Sequence, residues 1–594
     1  MSDRALPAAE QDGRGPSGVS GGAVISAGCG QAADAGAAVL ASGGNAADAA
    51  IAASAVQCVR ELPWCGLGGD AFVLVSGPQG LEALNGAGAV PRDLATASIP
   101  GGTLPRFGPL SISTPGLVDA WWRLWERHGS RPFAALIEPA ATLAEDGFAL
   151  DGAFARALAR VRGEVRGDDP FVSEFCDGNG SDAGEGFRLP AVARTLREIG
   201  DGGPAVFYRG RLASALVETV GRLGGLLSAD DLAEHSCDFE PPITARYGPA
   251  QVSVTPPVSM GWVLLQQLLL YERLGGRFTD GDADRIDLMV RCKQAAFADL
   301  ARMPRWQEAS DVLGVLSEDS LDRWCSRIAD QRRSMLAPAG APAAPAGASG
   351  TDTTCLSVVD GRGLMVTFIH SLFNEFGSRV VVPGTGIVLN DRLAKQTARV
   401  GRAAGSGRTR PLHTLVGYHV AHGGRRLVGA TPGGRGQVQT NFQVLRAIID
   451  DGAGPQAAVD RPRWLSGAPR LPDADHLLFL EPGFPPDLGS ELSRRGHVIA
   501  TDGAASDSDL FGSCTIAGSS PQNSQTFGAA DRRRGAALVR VDPPRPTATP
   551  VAPITPITPM APNTPMTPNP PMTAHDKAAC RPASHQRHEA EETP

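Results

Sequence analysis

Two consecutive threonines, Thr353 and Thr354, stand where a strongly biased segment gives way to a strand-like one. Residues 335–349 are almost all Ala, Pro and Gly, a composition that builds no core. From residue 354 to residue 360 the pattern alternates, with Leu356 and Val358 in phase, as in a half-buried strand. A threonine inside a chain is a weak nucleophile. An N-terminal threonine carries its own base, the α-amine, beside the hydroxyl. A loose segment, a threonine pair and a strand in that order suggest a chain that is cut before Thr353, with Thr353 as nucleophile and its α-amine as base. A plain linker that ends at a strand has the same outline.

Other chemistry is weakly supported. The ten cysteines form no CxxC pair, so neither a zinc site nor a redox motif is indicated, and reduced, buried thiols are expected. The glycine run Gly66-Leu67-Gly68-Gly69 follows a helix and precedes a strand. That is the reverse of the order in a dinucleotide fingerprint, so no cofactor is expected. No metal is expected either.

The elements that must position Thr353 are legible in outline. A strand is expected at 23–27 and a helix at 31–41, stopped by Gly43-Gly44. Asn45 then caps a helix over 46–58, with Asp48 three residues on in a capping-box arrangement. That helix is built of small residues, so something packs closely on it. A hairpin follows at 71–76 and 81–85. Helices are expected at 117–128, 133–146 and 151–161, a surface excursion at 162–187, and further helices over 189–223. One strand is expected at 245–254, and long amphipathic helices at 262–274 and 284–301. After Thr353 strands dominate: 354–360, 364–371, 380–383, 387–390, 415–420, 426–430, 477–481, 498–501 and 536–541. A helix over 438–451 interrupts them. Helices rule the first part and strands the second, so one layered α+β fold, sheets inside and helices outside, accounts for both.

Composition sets the outer limits. Hydrophobic residues make up 42% of the 594, enough for a sizeable core. A net charge of −8 with no basic cluster gives no reason to expect nucleic acid. No signal peptide or bilayer-spanning run is evident, so no membrane partner is expected and a cytoplasmic location is. Residues 1–20 read as a loose arm. Residues 542–594, rich in Pro and Thr, read as a disordered tail.

At this point the chain resembles the γ-glutamyltranspeptidases of the N-terminal-nucleophile hydrolase superfamily. Five motifs occur in the family's order. They are Gly43-Gly44-Asn45-Ala46-Ala47-Asp48-Ala49, Gly66-Leu67-Gly68-Gly69-Asp70-Ala71-Phe72, Thr353-Thr354-Cys355-Leu356-Ser357-Val358-Val359-Asp360, Pro432-Gly433-Gly434, and Phe527-Gly528-Ala529-Ala530-Asp531-Arg532-Arg533. The resemblance covers about residues 22–541. It implies a four-layer αββα sandwich and a proenzyme that cuts itself between Asp352 and Thr353. A large chain (core 21–352) and a small chain (core 353–541) would complete one fold as a heterodimer, with a higher oligomer open. It implies attack by Thr353 and an ester intermediate, resolved by water or an acceptor amine. Gly433 and Gly434 would hold the oxyanion with backbone N–H groups. Ser371 matches a family threonine that hydrogen-bonds the nucleophile. Thr354 is an alternative first residue of the small chain.

The departures from the family pattern bear on substrate. Where the family holds the α-carboxylate with an arginine, this chain reads Asn85-Gly86-Ala87-Gly88-Ala89. Where the family holds the α-amine, it carries Arg392 and Lys395, and the family's paired serines are His413 and Thr414. Two cations repel an ammonium and attract an acid. The expected substrate is therefore a small molecule with an acidic acyl or γ-glutamyl-like group, bound by Arg392, Lys395, His413 and Thr414. The changes are similar to a divergent branch with acylases, an oxamate-type amidohydrolase and enzymes of actinobacterial antibiotic pathways. Two other readings stay open. One is C–C cleavage of an oxalyl-type unit in making alkylproline antibiotics. The other is a non-enzymatic relic of the fold.

Overall fold

The strand that begins beside Thr353 runs from Asp352 to Val359 and is buried along its whole length. It lies in a sheet assembled from both halves of the sequence. The computed structural model describes residues 22–180, 184, 186–276, 281–303, 307–334, 352–394, 409–467, 476–500, 508–520 and 525–542. The arm at 1–20, the Ala/Pro/Gly segment at 335–349, Lys395 and the tail after residue 542 lie outside the described residues.

In chain order the strands of the two large sheets are β1 (Ala23–Ala27), β2 (Asp70–Gly77), β3 (Gly80–Gly86), β4 (Asp238–Glu240), β5 (Ile243–Tyr247), β6 (Ala250–Val254), β7 (Asp352–Val359), β8 (Met365–Phe373), β9 (Gly417–His422), β10 (Arg425–Ala430), β11 (Thr515–Ser520), β12 (Gln525–Ala530) and β13 (Ala537–Val541). A seven-stranded sheet has the order β13-β1-β7-β8-β2-β3-β4, and a six-stranded sheet the order β12-β11-β10-β9-β6-β5. The neighbours pair antiparallel, for example Ile25 opposite Val358 and Ile369 opposite both Cys355 and Phe72. Because β7 and β8 sit between β1 and β2, the first half alone cannot close this sheet.

Side-chain alternation along β7 shows what covers each face. Leu356 and Val358 join Ile25 and Phe368 in a core shared with the helices α1 (Gly30–Ala41) and α2 (Ala46–Arg60). Cys355 and Val359 point the other way. Cys355 packs with Phe72, Ile369, Leu415 and Ala430, and Val359 with Val24, Met365, Val428 and Ala517. These clusters join residues of both sheets. On the far side of the six-stranded sheet, Val252, Tyr418, Val420 and Leu427 pack with the helices α3 (Gly261–Arg273), α4 (Asp282–Arg302) and α5 (Gln437–Ile449). Among the described residues no helix is long and apolar enough to cross a membrane.

Helix α2 needs its small residues. The Asn45 side chain accepts from the N–H groups of Ala47 and Asp48, and Asp48 answers to the Asn45 N–H, completing the capping box. Residues 46–59 of this helix are all buried. A Cβ on Gly36 of α1 would stand 3.1 Å from the Ala49 carbonyl oxygen, which shows how closely the two helices approach.

Several elements differ from the sequence reading. The strand expected at 245–254 is a hairpin, β5 and β6, turning at Gly248 with φ 55°. The excursion at 162–187 contains a short helix, Pro170–Phe175, capped by Asp169. Phe171 and Phe175 of that helix pack on Phe376, which fixes it despite the polar composition around it. Helix Glu318–Arg333 and strands β11 and β12 were not anticipated. Strand β11, Thr-Ile-Ala-Gly-Ser-Ser, lacks bulky alternation and is held by ladders to β10 and β12.

Candidate active site

Strands β7 and β8 pair in regular register from Val359 opposite Met365 to Thr354 opposite His370. The register then slips, so that Asp352 faces Phe373. At the slip Phe373 adopts φ 87°, a left-handed conformation rare for a bulky residue. The local polar arrangement accounts for it. The Ser371 hydroxyl accepts the Phe373 N–H at 2.7 Å and donates to the Asp352 carbonyl oxygen at 2.5 Å. That carbonyl belongs to the Asp352–Thr353 peptide bond. Ser371, matched in sequence to a partner of the nucleophile, here holds the carbonyl just before it. Ser371 is 1% exposed and Thr353 5%.

Thr353 and Thr354 line a cavity of about 540 Å³ together with Glu61, Trp64, Pro432 and Ser513. Arg60, Arg156, Arg533 and Arg534 line the same space beside Asp151; Arg60 pairs with Asp151 at 3.0 Å, and Arg533 with Glu481 and Asp531. Gly433 and Gly434 follow Pro432 directly and open the turn into α5. Their φ values of 122° and 54° lie in the region that favours glycine. Pro432 lines the cavity, whereas Gly433, Gly434 and the first residues of α5 are not among its lining residues.

Thr354 points toward helix α2, as alternation requires. Its hydroxyl donates to Glu61 at 2.9 Å and accepts from Gln57 Nε2 at 2.7 Å. Gln57 also accepts from His370 Nε2 at 3.0 Å. Burial pushes the His370 pKa down to about 3, so the ring is neutral and serves as a structural donor. Burial raises Glu61 to about 7 against the opposing pull of Thr354 and Gln57. A Cβ on Gly28 would stand 2.4 Å from Thr354 Oγ1, 2.8 Å from Glu61 Oε1 and 2.9 Å from Gln57 Nε2. Only a glycine at position 28 allows these three groups to converge.

The residues expected to hold the substrate are placed elsewhere. Arg392 is fully buried, with its guanidinium 4.4 Å over the Phe373 ring and Nε 3.5 Å from Asp70. His413 Nε2 lies 2.9 Å from the same Asp70 carboxylate. Arg392 and His413 therefore meet on Asp70, which also accepts the Gly88 N–H. Burial and the Arg392 charge both press the His413 pKa down. Thr414 is buried on the same segment as His413. None of these three lines the cavity at Thr353. Behind Arg392, burial raises the Asp391 carboxyl to about 7 although Asn374 donates to it twice.

Among the described residues two clusters have metal-binding composition: Cys58, Cys65 and His370, and Asp119, His235 and Cys237. Their groups are engaged within the protein. Cys65 donates to the Gln57 carbonyl, His370 bonds Gln57, and the Asp119 carboxylate accepts the Cys237 N–H. The sequence reading missed Glu61, Gln57 and the Arg533 side of the cavity. Glu61 stands two residues before Pro63 with nothing in its neighbours to single it out. Arg533 was quoted only as part of a motif.

Comparison with known proteins identifies relatives of this chain. A family profile described as gamma-glutamyltranspeptidase matches residues 32–540. The oxamate amidohydrolase proenzyme of Klebsiella pneumoniae is 32% identical over 464 residues, which span 76% of this chain and 86% of that protein. The glutathione hydrolase-like YwrD proenzyme of Bacillus subtilis is 28% identical over 466 residues, with the same two coverages. The crystal structure of a cephalosporin acylase from Bacillus halodurans matches with a TM-score of 0.78 and 30% identity, over 89% of this chain and 98% of that one. The profile match includes the threonine strand β7 of the seven-stranded sheet.

Proposed function

Because this chain belongs to the γ-glutamyltranspeptidase family of N-terminal-nucleophile hydrolases, an enzyme family of hydrolases and transferases, we propose that it matures by cutting itself between Asp352 and Thr353 and then cleaves an amide bond with Thr353 as nucleophile. The sheets with helices on both outer sides are read as the family's four-layer αββα sandwich. The mature protein is read as a heterodimer of residues 1–352 and 353–594.

The observation that carries the proposal is the Ser371 hydroxyl on the Asp352 carbonyl, 2.5 Å away. In self-cleavage the Thr353 hydroxyl adds to the Asp352 carbonyl carbon, and negative charge develops on the oxygen that Ser371 holds. The C–N bond breaks, and the Asp352 acyl group passes to the Thr353 oxygen as an ester. Water then hydrolyses the ester, leaving the Asp352 carboxylate and the Thr353 α-amine. With an external amide the same hydroxyl adds to the substrate carbonyl, assisted by that amine. The acyl ester is released to water or to an acceptor amine. Gly433 and Gly434, which follow the cavity residue Pro432, are read as the oxyanion donors of that second reaction.

The substrate class follows from charge. Four arginines line the cavity against two carboxylates, Glu61 and Asp151; Arg60 and Arg533 are paired within the protein, and the remaining excess of cations suits an acyl group bearing a carboxylate. The likeness to a protein named for oxamate, a small acid amide, supports the same class. Mass spectrometry of the purified protein tests the maturation step: the small chain is expected to begin at Thr353. Thr353→Ala is expected to remain one chain of 61.6 kDa and to turn over neither oxamate nor a γ-glutamyl anilide. A small chain beginning elsewhere, or a wild-type protein that stays uncut, overturns the reading.

A further inference from the structure

Self-cleavage creates a cation where none existed. In the uncut chain the Thr353 nitrogen is an amide. After the Asp352–Thr353 bond is hydrolysed it is an α-amine, charged below about pH 8. It must then stay in place beside its own hydroxyl and reach the neutral form to act as a base. Four arginines, Arg60, Arg156, Arg533 and Arg534, line the same cavity, and the pairs of Arg60 with Asp151 and of Arg533 with Glu481 and Asp531 use up those carboxylates.

Two carboxylates share that wall, Glu61 and Asp151. Asp151 is committed: it pairs with Arg60 at 3.0 Å and caps a helix through the Phe154 N–H. Glu61 accepts from Thr354, the residue next to the new terminus, at 2.9 Å. Gln57 also hydrogen-bonds it, and the Cys29 thiol, Arg60 and Asp151 are the other titratable groups that act on it. Cleavage also leaves two Asp352 carboxylates, the side chain and the new terminus, on the other side of the cut.

We propose that the Glu61 carboxylate anchors the α-ammonium that self-cleavage creates on Thr353, fixing its position and setting its proton affinity. Glu61 is then a positioning residue, acting on the base rather than on the substrate. The bareness of Gly28, which lets Glu61, Gln57 and Thr354 meet, belongs to the same device. So does the near-neutral titration of Glu61, which places its charge in the range where the amine itself titrates. This inference rests on the reading of Thr353 as the mature N-terminus.

The test needs no substrate. The mature enzyme is labelled with a trace of isotopically coded acetic anhydride across a pH series, and the N-terminal peptide of the small chain is followed by mass spectrometry. Glu61→Gln is expected to lower the pH of half-labelling by about one unit, as loss of a neighbouring carboxylate does. Glu61→Asp, which keeps the charge, is expected to return it toward wild type. A Glu61→Gln curve that overlays wild type overturns the proposal. Should Glu61→Gln not mature, Thr354→Val gives the same readout. Without its hydroxyl donor Glu61 ionises less readily, so the shift has the same sign, and an unshifted curve again overturns the proposal. If all three variants fold but stay uncut, the proposal also fails, because the carboxylate would then act before the amine exists. Failure of the underlying reading looks different: no peptide beginning at Thr353 is recovered even from wild type.

Discussion

Replacing Ser371 by alanine removes the side-chain donor that the structure places on the Asp352 carbonyl oxygen at 2.5 Å. Ser371 itself is almost fully buried, 1% exposed. Losing one preorganised donor from a developing oxyanion slows a reaction by about 10²- to 10³-fold, about 3 to 4 kcal/mol in the barrier. The same substitution strands the Phe373 N–H, which now bonds Ser371 Oγ at 2.7 Å. An unsatisfied buried N–H costs about 1 to 3 kcal/mol of stability. The two effects separate in the assay. Freshly purified Ser371→Ala and wild-type chains are incubated and the loss of the 61.6 kDa band is timed on denaturing gels, while circular dichroism reports folding. Ser371→Ala is expected to stay folded with a lowered melting temperature and to cut at least a hundredfold more slowly. Ser371→Thr keeps a hydroxyl and is expected to cut near the wild-type rate. A folded Ser371→Ala chain that cuts as fast as wild type would refute the assignment of Ser371 to the scissile carbonyl.

Three further outcomes follow from the same geometry. Gly28→Ala places a Cβ 2.4 Å from Thr354 Oγ1 and is expected to slow maturation, whereas Gly30→Ala, with open space around its Cβ, is expected to mature normally; equal cutting rates would count against the Gly28 contact. Arg392→Ala breaks a fully buried pair with Asp70 and is expected to lower unfolding free energy by about 3 to 5 kcal/mol in denaturant titrations. An unchanged stability with a raised KM would instead place Arg392 on the substrate. The folded-state pKa of Glu61 is raised from 4.5 to about 7, so its contribution to stability is fully present below its ordinary value and fades as pH rises toward about 7. That contribution amounts to about 3 kcal/mol. In the uncleaved Thr353→Ala background, Glu61→Gln is expected to remove this part of the pH dependence, and identical pH slopes in urea unfolding would refute it.

The sequence by itself determined much of the local structure. The Asn45–Asp48 capping box, the helices at 117–128 and 133–146 and the core of the threonine strand depend on neighbours in the chain, and they form where local patterning puts them. The five ordered motifs also announced the family before any coordinate did. Strand β11 was invisible because its pairing partners, not its composition, make it a strand. The hairpin of β5 and β6 was read as one strand although Gly248-Pro249, a turn dipeptide, marks its bend.

The site divides in the same way. Thr353 was legible because its neighbours on both sides carry the signal. Its environment was not. A strand's alternation says that Thr353 and Thr354 face opposite ways, but only the packing of α2 on β7 decides that Thr354 meets Gln57 and Glu61, some 297 and 293 residues distant in sequence. The slip that turns Ser371 onto the Asp352 carbonyl is a property of two paired strands. Arg392 shows the limit most clearly. Its charge is written in the sequence, but whether that charge faces a substrate or a buried aspartate depends on where Asp70, 322 positions earlier, is brought by the sheet. Charge is a property of a residue; what it is charged against is a property of the fold.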